Sequence, residues 1–128
     1  MRVPILKQGW YLIASVQSAL TDRDLLDLRD DLAEQVGKFR SRGVIVDVTA
    51  LDVLDSFAVR TLRSLAQMIR LRGAETVIAG IQPEIAFAMV QLGLDLGDVA
   101  TALDLEEGLV LLKRGTRKGG GGADGSGT

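Results

Sequence analysis

Residues 43–57 read GVIVDVTALDVLDSF, and this stretch decides the fold class of the chain. Its first part, residues 43–48, is a short apolar run rich in β-branched side chains. Such a run is typical of a strand buried on both faces, as in a sheet that helices cover on each side. After a loop at residues 49–54, Asp55 precedes a helical pattern and is expected to cap that helix. Strand, loop and helix in this order indicate an α/β protein.

The same alternation of strands and helices extends in both directions from this stretch. Residues 3–7 and 10–16 predict two strands joined by a turn at Gly9, and their closeness in sequence favours an antiparallel hairpin. Thr21 is expected to cap the first helix, and Gly43 is expected to end it. The later elements are a second helix ending at Gly73, a strand at 76–79, a helix between Pro83 and Gly93, a strand at 99–102 and a short helix capped by Asp104.

This order predicts one domain at residues 1–114, with a mixed, mostly parallel sheet, an N-terminal antiparallel hairpin and helices packed on the sheet. From residue 115 the chain is rich in Gly, so residues 115–128 are predicted to form a flexible tail. Apolar side chains recur at helical spacing in the first two helices and are the candidate core there: Leu25, Leu28, Leu32, Val36, Phe39, Ala58, Leu62, Leu65, Ala66 and Ile69. A second stripe on the later helix fits either a partner surface or a wider core face: Phe57, Thr61, Met68 and Leu71.

The composition excludes several classes of function. The 128 residues include no His and no Cys, so thiolate zinc sites, disulfides and Ser-His-Asp triads cannot form within this chain. A net charge of −2 gives no overall basic character, which argues against a nucleic-acid partner. No segment approaches the roughly 18 apolar residues that a membrane span needs, and no signal peptide is visible. We therefore expect a cytoplasmic protein with neither membrane nor nucleic acid as a partner.

Ser56 is the candidate site of regulation, because it would lie exposed in the first turn of the helix that Asp55 caps. A phosphate there adds about −1.5 to −2 charges at pH 7. The free amides and the dipole of a helix N-terminus favour that charge, whereas Asp52 and Asp55 oppose it. The fold should therefore survive the modification, and a docked partner would meet a new dianion. The alternative is that Asp55 is only a cap and Ser56 only the residue that starts the helix.

Two catalytic interpretations are weaker. One is a phosphoaspartate receiver with Mg²⁺, built on Asp47, Asp52 and Asp55. Such a site also needs carboxylates from another strand end and a Lys nearby, and the other strand ends offer no acidic pair. A carboxylate inside a strand, such as Asp47, is more typical of a hydrogen-bonded structural group. Residues 80–83 (GIQP) lack the glycine spacing of phosphate-binding loops. The sequence therefore predicts no metal, no cofactor and no enzymatic activity.

Taken together, these residues resemble the STAS domain of anti-sigma-factor antagonists, over residues 3 to about 114. The order of elements, residues 46–49 (VDVT) and the Asp-Ser pair at a helix start carry that resemblance. Further details are similar to the RsbS type within the family, including an Asp-Ser-Phe motif where other antagonists usually have Asp-Ser-Ser-Gly. These details are residues 3–7 (VPILK), 55–57 (DSF), 80–83 (GIQP) and 101–108 (TALDLEEG).

The resemblance implies a function that the spacing alone does not. RsbS-type proteins co-assemble with RsbR-type relatives into a large cytoplasmic stressosome and sequester an RsbT-type serine kinase. That kinase phosphorylates the serine of the Asp-Ser-Phe motif, here Ser56, and is then released, and a phosphatase resets the state. ATP belongs to the kinase. The resemblance makes five further positions candidate partner-binding or motif residues: Asp55, Phe57, Asp52, Thr49 and Gly80.

A second interpretation within the same resemblance is a direct anti-sigma-factor antagonist. Such a protein would bind an anti-sigma kinase and free a sigma factor without a large assembly. The size of the complex distinguishes the two, because the stressosome requires a very large particle formed with an RsbR-type protein. Some stressosome relatives carry a second phosphorylatable threonine where this chain has Ala79, so a second modification at that position is not available.

Overall fold

The computed structural model describes residues 3–121, with side chains described for residues 3–115. Along these residues the strands and helices alternate as β1 Ile5–Gln8, β2 Tyr11–Ser15, α1 Asp22–Phe39, β3 Gly43–Asp47, α2 Ser56–Leu71, β4 Glu75–Ala79, α3 Pro83–Gln91, β5 Ala100–Ala102 and α4 Leu105–Gly121. The strands form one five-stranded sheet in the order β1-β2-β3-β4-β5. The β1–β2 pair is antiparallel and the remaining pairs are parallel. The predicted fold class and the N-terminal hairpin are confirmed.

Helices cover both faces of the sheet, which explains the apolar runs of the central strands. On one face, Val44 and Val46 of β3 pack in a core cluster with α1, α2 and α3. On the other face, Ile45 packs with α4 around the buried Leu112. Because successive side chains of a strand point to opposite faces, residues 44–46 must all be apolar to fill both clusters.

Side-chain caps set the starts of the helices as the sequence predicts. The Thr21 hydroxyl accepts the Asp24 N–H at 3.0 Å, and the Asp24 carboxylate accepts the Thr21 N–H at 3.1 Å. These reciprocal bonds form a capping box at the start of α1. At the start of α4, the Asp104 carboxylate accepts the Glu107 N–H at 2.9 Å.

The predicted end of α1 at Gly43 is wrong. The helix ends at Phe39, and Arg40 takes the left-handed conformation that reverses the chain, with φ 51°. Gly43 instead begins β3, where a Cβ atom would lie 2.7 Å from Cδ2 of Leu112. The glycine is therefore favoured by its packing against Leu112 of α4, and the helix has already ended at Phe39.

The side chains of α1 and α2 largely follow the predicted core, with corrections at the helix ends. Phe39 is 37% exposed and lies beneath the ammonium groups of Lys7 and Lys38, which are 5.6 and 5.4 Å from its ring centroid. On the second stripe of α2, Thr61 is buried, whereas Leu71 is 88% exposed. The stripe is therefore neither a continuous partner surface nor a uniform extension of the core.

The last helix, α4, is longer than the sequence predicts. It runs from Leu105 to Gly121 and so crosses the predicted boundary at residue 115. Lys113 and Arg114 have good helix propensity, which favours continuing the helix across that boundary. The end of the predicted tail, residues 122–128, lies outside the described residues. Within residues 3–121, no helix combines the length and the apolar character that crossing a bilayer requires.

Candidate functional site

Ser56 is the first residue of α2 and is exposed. Asp55 precedes it in an extended conformation, and the Asp55 carboxylate accepts the Ala58 N–H at 2.8 Å. This bond satisfies one of the free amides that every helix start leaves. Within residues 3–115, the hydroxyl of Ser56 makes no side-chain hydrogen bond, so its oxygen is open to solvent and to a reacting partner.

The loop that carries Ser56 is anchored by apolar side chains on either side of an exposed segment. Leu51 and Leu54 are buried, 6% and 8% exposed, and the Leu51 N–H donates to the Val48 carbonyl at 3.0 Å. Between them, Asp52 is exposed and Val53 is 72% exposed. The loop is thus held at two points and presents one carboxylate and one apolar side chain to solvent beside Ser56.

A second contact joins this loop to the one that follows β4. Asp47 at the end of β3 accepts both the N–H and the hydroxyl of Thr49, at 3.0 and 2.6 Å. The Gln82 side-chain amide donates to the Thr49 carbonyl at 2.9 Å. Gly80 lies against Thr49 with φ +80° and no room for a side chain. Asp47 is therefore the structural carboxylate that its place in a strand indicates.

The predicted site residues divide into two groups at the carboxyl end of the sheet. Asp52, Asp55, Ser56 and Phe57 lie together at the start of α2, and Phe57 is half-buried against the core there. Thr49 and Gly80 instead meet at the junction of the two loops. Among the residues that the structure describes, no group of three or more Asp or Glu residues is placed to hold a metal ion. Asp47, Asp52 and Asp55 thus do not form the site that a phosphoaspartate receiver needs.

Two features near the carboxyl end of the sheet were missed by sequence reasoning. A cleft of about 130 Å³ lies beside Asp55, between the start of α1 and the β3–α2 loop, with Leu20, Val53 and Ala58 in its walls. A larger groove of about 520 Å³ lies between α3, β5 and the start of α4. The sequence of α3 contains a sign of this groove, because the helix is apolar on nearly all sides. Such a helix still exposes apolar side chains after one face has packed on the core.

Comparison with known proteins places this geometry in a family. A model described as the STAS domain matches residues 4–107. A structure of a serine-to-glutamate variant of RsbS from Moorella thermoacetica is 33% identical, covering 90% of this chain and 97% of that chain with a TM-score of 0.77. A chain from the molecular architecture of the stressosome is 34% identical, covering 89% of this chain and 99% of that one with a TM-score of 0.73.

Among curated proteins, the RsbT co-antagonist protein RsbRA of Bacillus subtilis (strain 168) is 37% identical over 82 residues. The match covers 64% of this chain and 30% of RsbRA. The chain therefore corresponds to one part of that longer relative, and to nearly the full length of the RsbS and stressosome chains. The resemblance seen in the sequence, to the STAS domain and to the RsbS type within it, is confirmed.

Proposed function

Because this chain belongs to the STAS domain family, we propose that it is a non-catalytic scaffold of a cytoplasmic stressosome. In this role it sequesters a cognate RsbT-type serine kinase and releases it when that kinase phosphorylates Ser56. The likeness to RsbS and to a stressosome chain, at 33% and 34% identity over almost their whole length, supports the assembly role. The similarity to the RsbT co-antagonist RsbRA supports RsbR-type paralogues as the co-assembling partners and an RsbT-type kinase as the target.

The observation that carries the proposal is the exposed hydroxyl of Ser56 at the first position of α2. A kinase must bring a hydroxyl into line with the γ-phosphate of ATP, so the acceptor cannot be buried or held by a strong hydrogen bond. Ser56 meets both conditions within the described residues. The Asp55 cap holds the first turn of α2, and Ser56 is the first residue of that turn.

Phosphorylation of Ser56 would change the surface and leave the fold intact. The new dianion would lie at the helix N-terminus, where unpaired amides and the dipole stabilise it by about 0.3–1 kcal/mol. Asp52 and Asp55 would repel it by a similar amount, since both carboxylates lie within four residues. The two effects nearly cancel in the free protein. In a complex, the phosphate would have to lose its hydration against the partner, which is costly without a paired cation.

The surrounding residues supply a docking surface for the kinase. Val53 and the small cleft beside Asp55 offer an apolar anchor next to Ser56. Asp52 adds a carboxylate at the rim, and Phe57 supports the first turn of α2 from the core side. Thr49 and Gly80 act indirectly, because their contact holds the loop that carries this surface. A dedicated phosphatase would restore binding by removing the phosphate.

The test begins with phosphate transfer from the cognate RsbT-type kinase and ATP, followed by intact-mass measurement and peptide mapping. One phosphate on Ser56 is expected for wild-type protein and for Ser18→Ala, a matched control at another exposed serine. Ser56→Ala should gain no phosphate, and Ser56→Asp should bind the kinase at least about tenfold more weakly, a difference of about 1.4 kcal/mol. Phosphate on another residue, or equal kinase binding by wild type and Ser56→Asp, would overturn the switch.

The assembly role has a separate test. Mixing the chain with its RsbR-type paralogue should give a very large particle in light scattering, and Ser56→Ala should assemble as wild type does. A small one-to-one complex with an anti-sigma kinase, and no large particle with the paralogue, would replace the scaffold by a direct anti-sigma-factor antagonist.

A further inference from the structure

The groove between α3, β5 and the start of α4 has the size and lining of a binding site. Its volume is about 520 Å³, and its walls are mainly apolar, including Ile81, Met89 and Leu96. Two side chains lie at its opposite edges, Val90 on α3 and Leu103 directly after β5. They are 76% and 82% exposed, so the apolar surface reaches solvent on both sides of the groove. Exposed apolar surface of this kind marks a place where another molecule binds.

The apolar surface extends beyond the groove, which indicates a ligand larger than a metabolite. Phe87 is 64% exposed and lies three residues before Val90, on the same side of α3. A small molecule inside the groove would leave the outer faces of Phe87, Val90 and Leu103 in water. A helix about 10 Å across, lying along the groove, would cover both the groove and the exposed side chains at its edges.

The charge around the groove restricts the partner further. Residues 81–110 contain no Lys or Arg, and their charged residues are all acidic: Glu84, Asp95, Asp98, Asp104, Glu106 and Glu107. Asp95 and Glu107 line the groove itself. Arg63 and Arg70 of α2 offset two of these charges by pairing with Asp95 and Asp98, and the surface stays net negative. A net negative surface disfavours nucleic acids and anionic lipid surfaces as partners.

A second copy of the chain is a poorer match than a foreign partner. Its main basic surface is the outer face of α2, and two of the arginines there already pair within the molecule. Arg63 lies 3.8 Å from Asp95, and Arg70 lies 3.6 Å from Asp98. Docking α2 of another copy on the groove would exchange these ion pairs for equivalent ones between molecules, with little gain in attraction.

We propose that this groove binds an amphipathic helix of a partner protein whose apolar stripe is flanked by Lys or Arg residues. The apolar side chains of the helix would enter between Val90 and Leu103. Its cations would meet Glu107 in the groove and the neighbouring acidic residues that have no arginine partner, Glu84, Asp104 and Glu106. This surface lies at the β5 edge of the sheet, two strands away from β3 and the loop that leads to Ser56. It is therefore a second interaction surface, and it does not depend on phosphorylation of Ser56.

A designed helical peptide provides the probe, with a Leu stripe flanked by Lys and Arg, together with a counterpart in which every Lys and Arg is Glu. The ¹⁵N-labelled full chain is titrated with each peptide, and amide shifts are mapped. The basic peptide should shift resonances of α3, β5 and the start of α4, and the acidic peptide should not. Binding should weaken severalfold when the salt concentration is raised from about 0.1 M to 1 M, because the screening length falls from about 10 Å to about 3 Å.

Val90→Glu should lower the affinity for the basic peptide about tenfold or more, since a valine that the peptide would cover is replaced by an ionised group that resists desolvation. Leu71→Glu is the matched control, because Leu71 is 88% exposed and lies at the far end of α2. It should bind as wild type does, and thermal unfolding should show that both variants are folded. Shifts outside the groove, equal binding of the two peptides or no binding of either would overturn the proposal. Self-association of the free chain that Val90→Glu abolishes would overturn it too, in favour of a second copy as the occupant.

Discussion

Gly80 lies against Thr49 so closely that no side chain fits between them. A Cβ atom on Gly80 would be 3.0 Å from the Cα of Thr49 and nearer still to its side chain. Gly80 also has φ +80°, a conformation that side chains disfavour. The contact fixes the loop after β4 against the loop after β3. Since the second of these loops leads to Ser56, the geometry of the candidate phosphorylation site depends on a glycine in a different strand connection.

Replacing this glycine should therefore destabilise the protein more than replacing a glycine in open space. We expect Gly80→Ala to lower the free energy of unfolding by about 2–4 kcal/mol, about 1–2 from the positive φ and the rest from overpacking. Gly93→Ala is the control, because Gly93 has φ +70° but nothing within 4 Å of its Cβ position. It should cost only about 1–2 kcal/mol. Urea denaturation of both variants measures the difference, and equal losses would show that the contact with Thr49 has no energetic role.

The cap at the start of α2 should contribute to stability through a single hydrogen bond. Asp55→Ala removes the acceptor of the Ala58 N–H and should cost about 1 kcal/mol, whereas Asp55→Asn should retain most of the stability. Asp52→Ala is the matched control, because Asp52 is an exposed carboxylate for which the described residues provide no hydrogen bond or ion pair. Its effect should stay within about 0.5 kcal/mol. A comparable loss at both positions in chemical denaturation would contradict the cap assignment.

The charge introduced at Ser56 should leave the fold almost unchanged. For Ser56→Asp and for the phosphorylated protein, we expect unfolding free energies within about 1 kcal/mol of wild type, because the helix dipole and the neighbouring carboxylates act in opposite directions. Removing one opposing charge with Asp52→Asn should make the phosphorylated form relatively more stable. Calorimetry of both forms in each background measures this. A large loss of stability on phosphorylation would mean that partner release proceeds through unfolding and not through surface charge.

Local chemistry explains why so much of this fold is predictable from the sequence. The apolar side chains at residues 44–46 point alternately to the two faces of the sheet, so this strand must be covered on both sides. Thr21 and Asp55 each place a side-chain acceptor next to free helix amides, so the helix starts can be read directly. The exposed position of Ser56 also follows from the cap. Asp55 is the cap, so Ser56 is the first residue of the helix, and the buried positions of α2 begin only at Ala58.

The features that the sequence did not predict depend on contacts between distant residues. Gly43 resembles a helix stop until Leu112 is seen to pack on it from α4. Phe39 has the spacing of a core residue, yet it lies at the last position of α1, where the helix has passed the edge of the core. The groove lies at the β5 edge between α3, which packs on one face of the sheet, and the start of α4, which packs on the other, so its shape depends on how these elements are placed around β5. Val53 was missed because an apolar residue in a loop is normally assumed to be buried.

The packing of Gly43 against Leu112 leads to a final prediction about how α4 is held on the sheet. Gly43 does not have a positive φ, so its replacement is opposed by packing alone. A Cβ would lie 2.7 and 2.8 Å from the two methyl carbons of Leu112, and Gly43→Ala should cost about 1–3 kcal/mol. Leu112→Ala should cost about 2–5 kcal/mol, because Leu112 is 2% exposed and leaves a cavity.

The double variant distinguishes this contact from general damage to the core. In Gly43→Ala combined with Leu112→Ala, the new methyl group occupies space that the shortened side chain has left. The combined loss should therefore be smaller than the two single losses together, by about 0.5–3 kcal/mol in a double-mutant cycle measured by urea denaturation. Gly43→Ala with Gly115→Ala is the control pair, because a Cβ on Gly115 meets nothing within 4 Å, and its effects should add. Additive losses in the first pair would mean that α4 moves away from β3 when Gly43 is replaced, so that its position on the sheet is set by contacts other than Leu112.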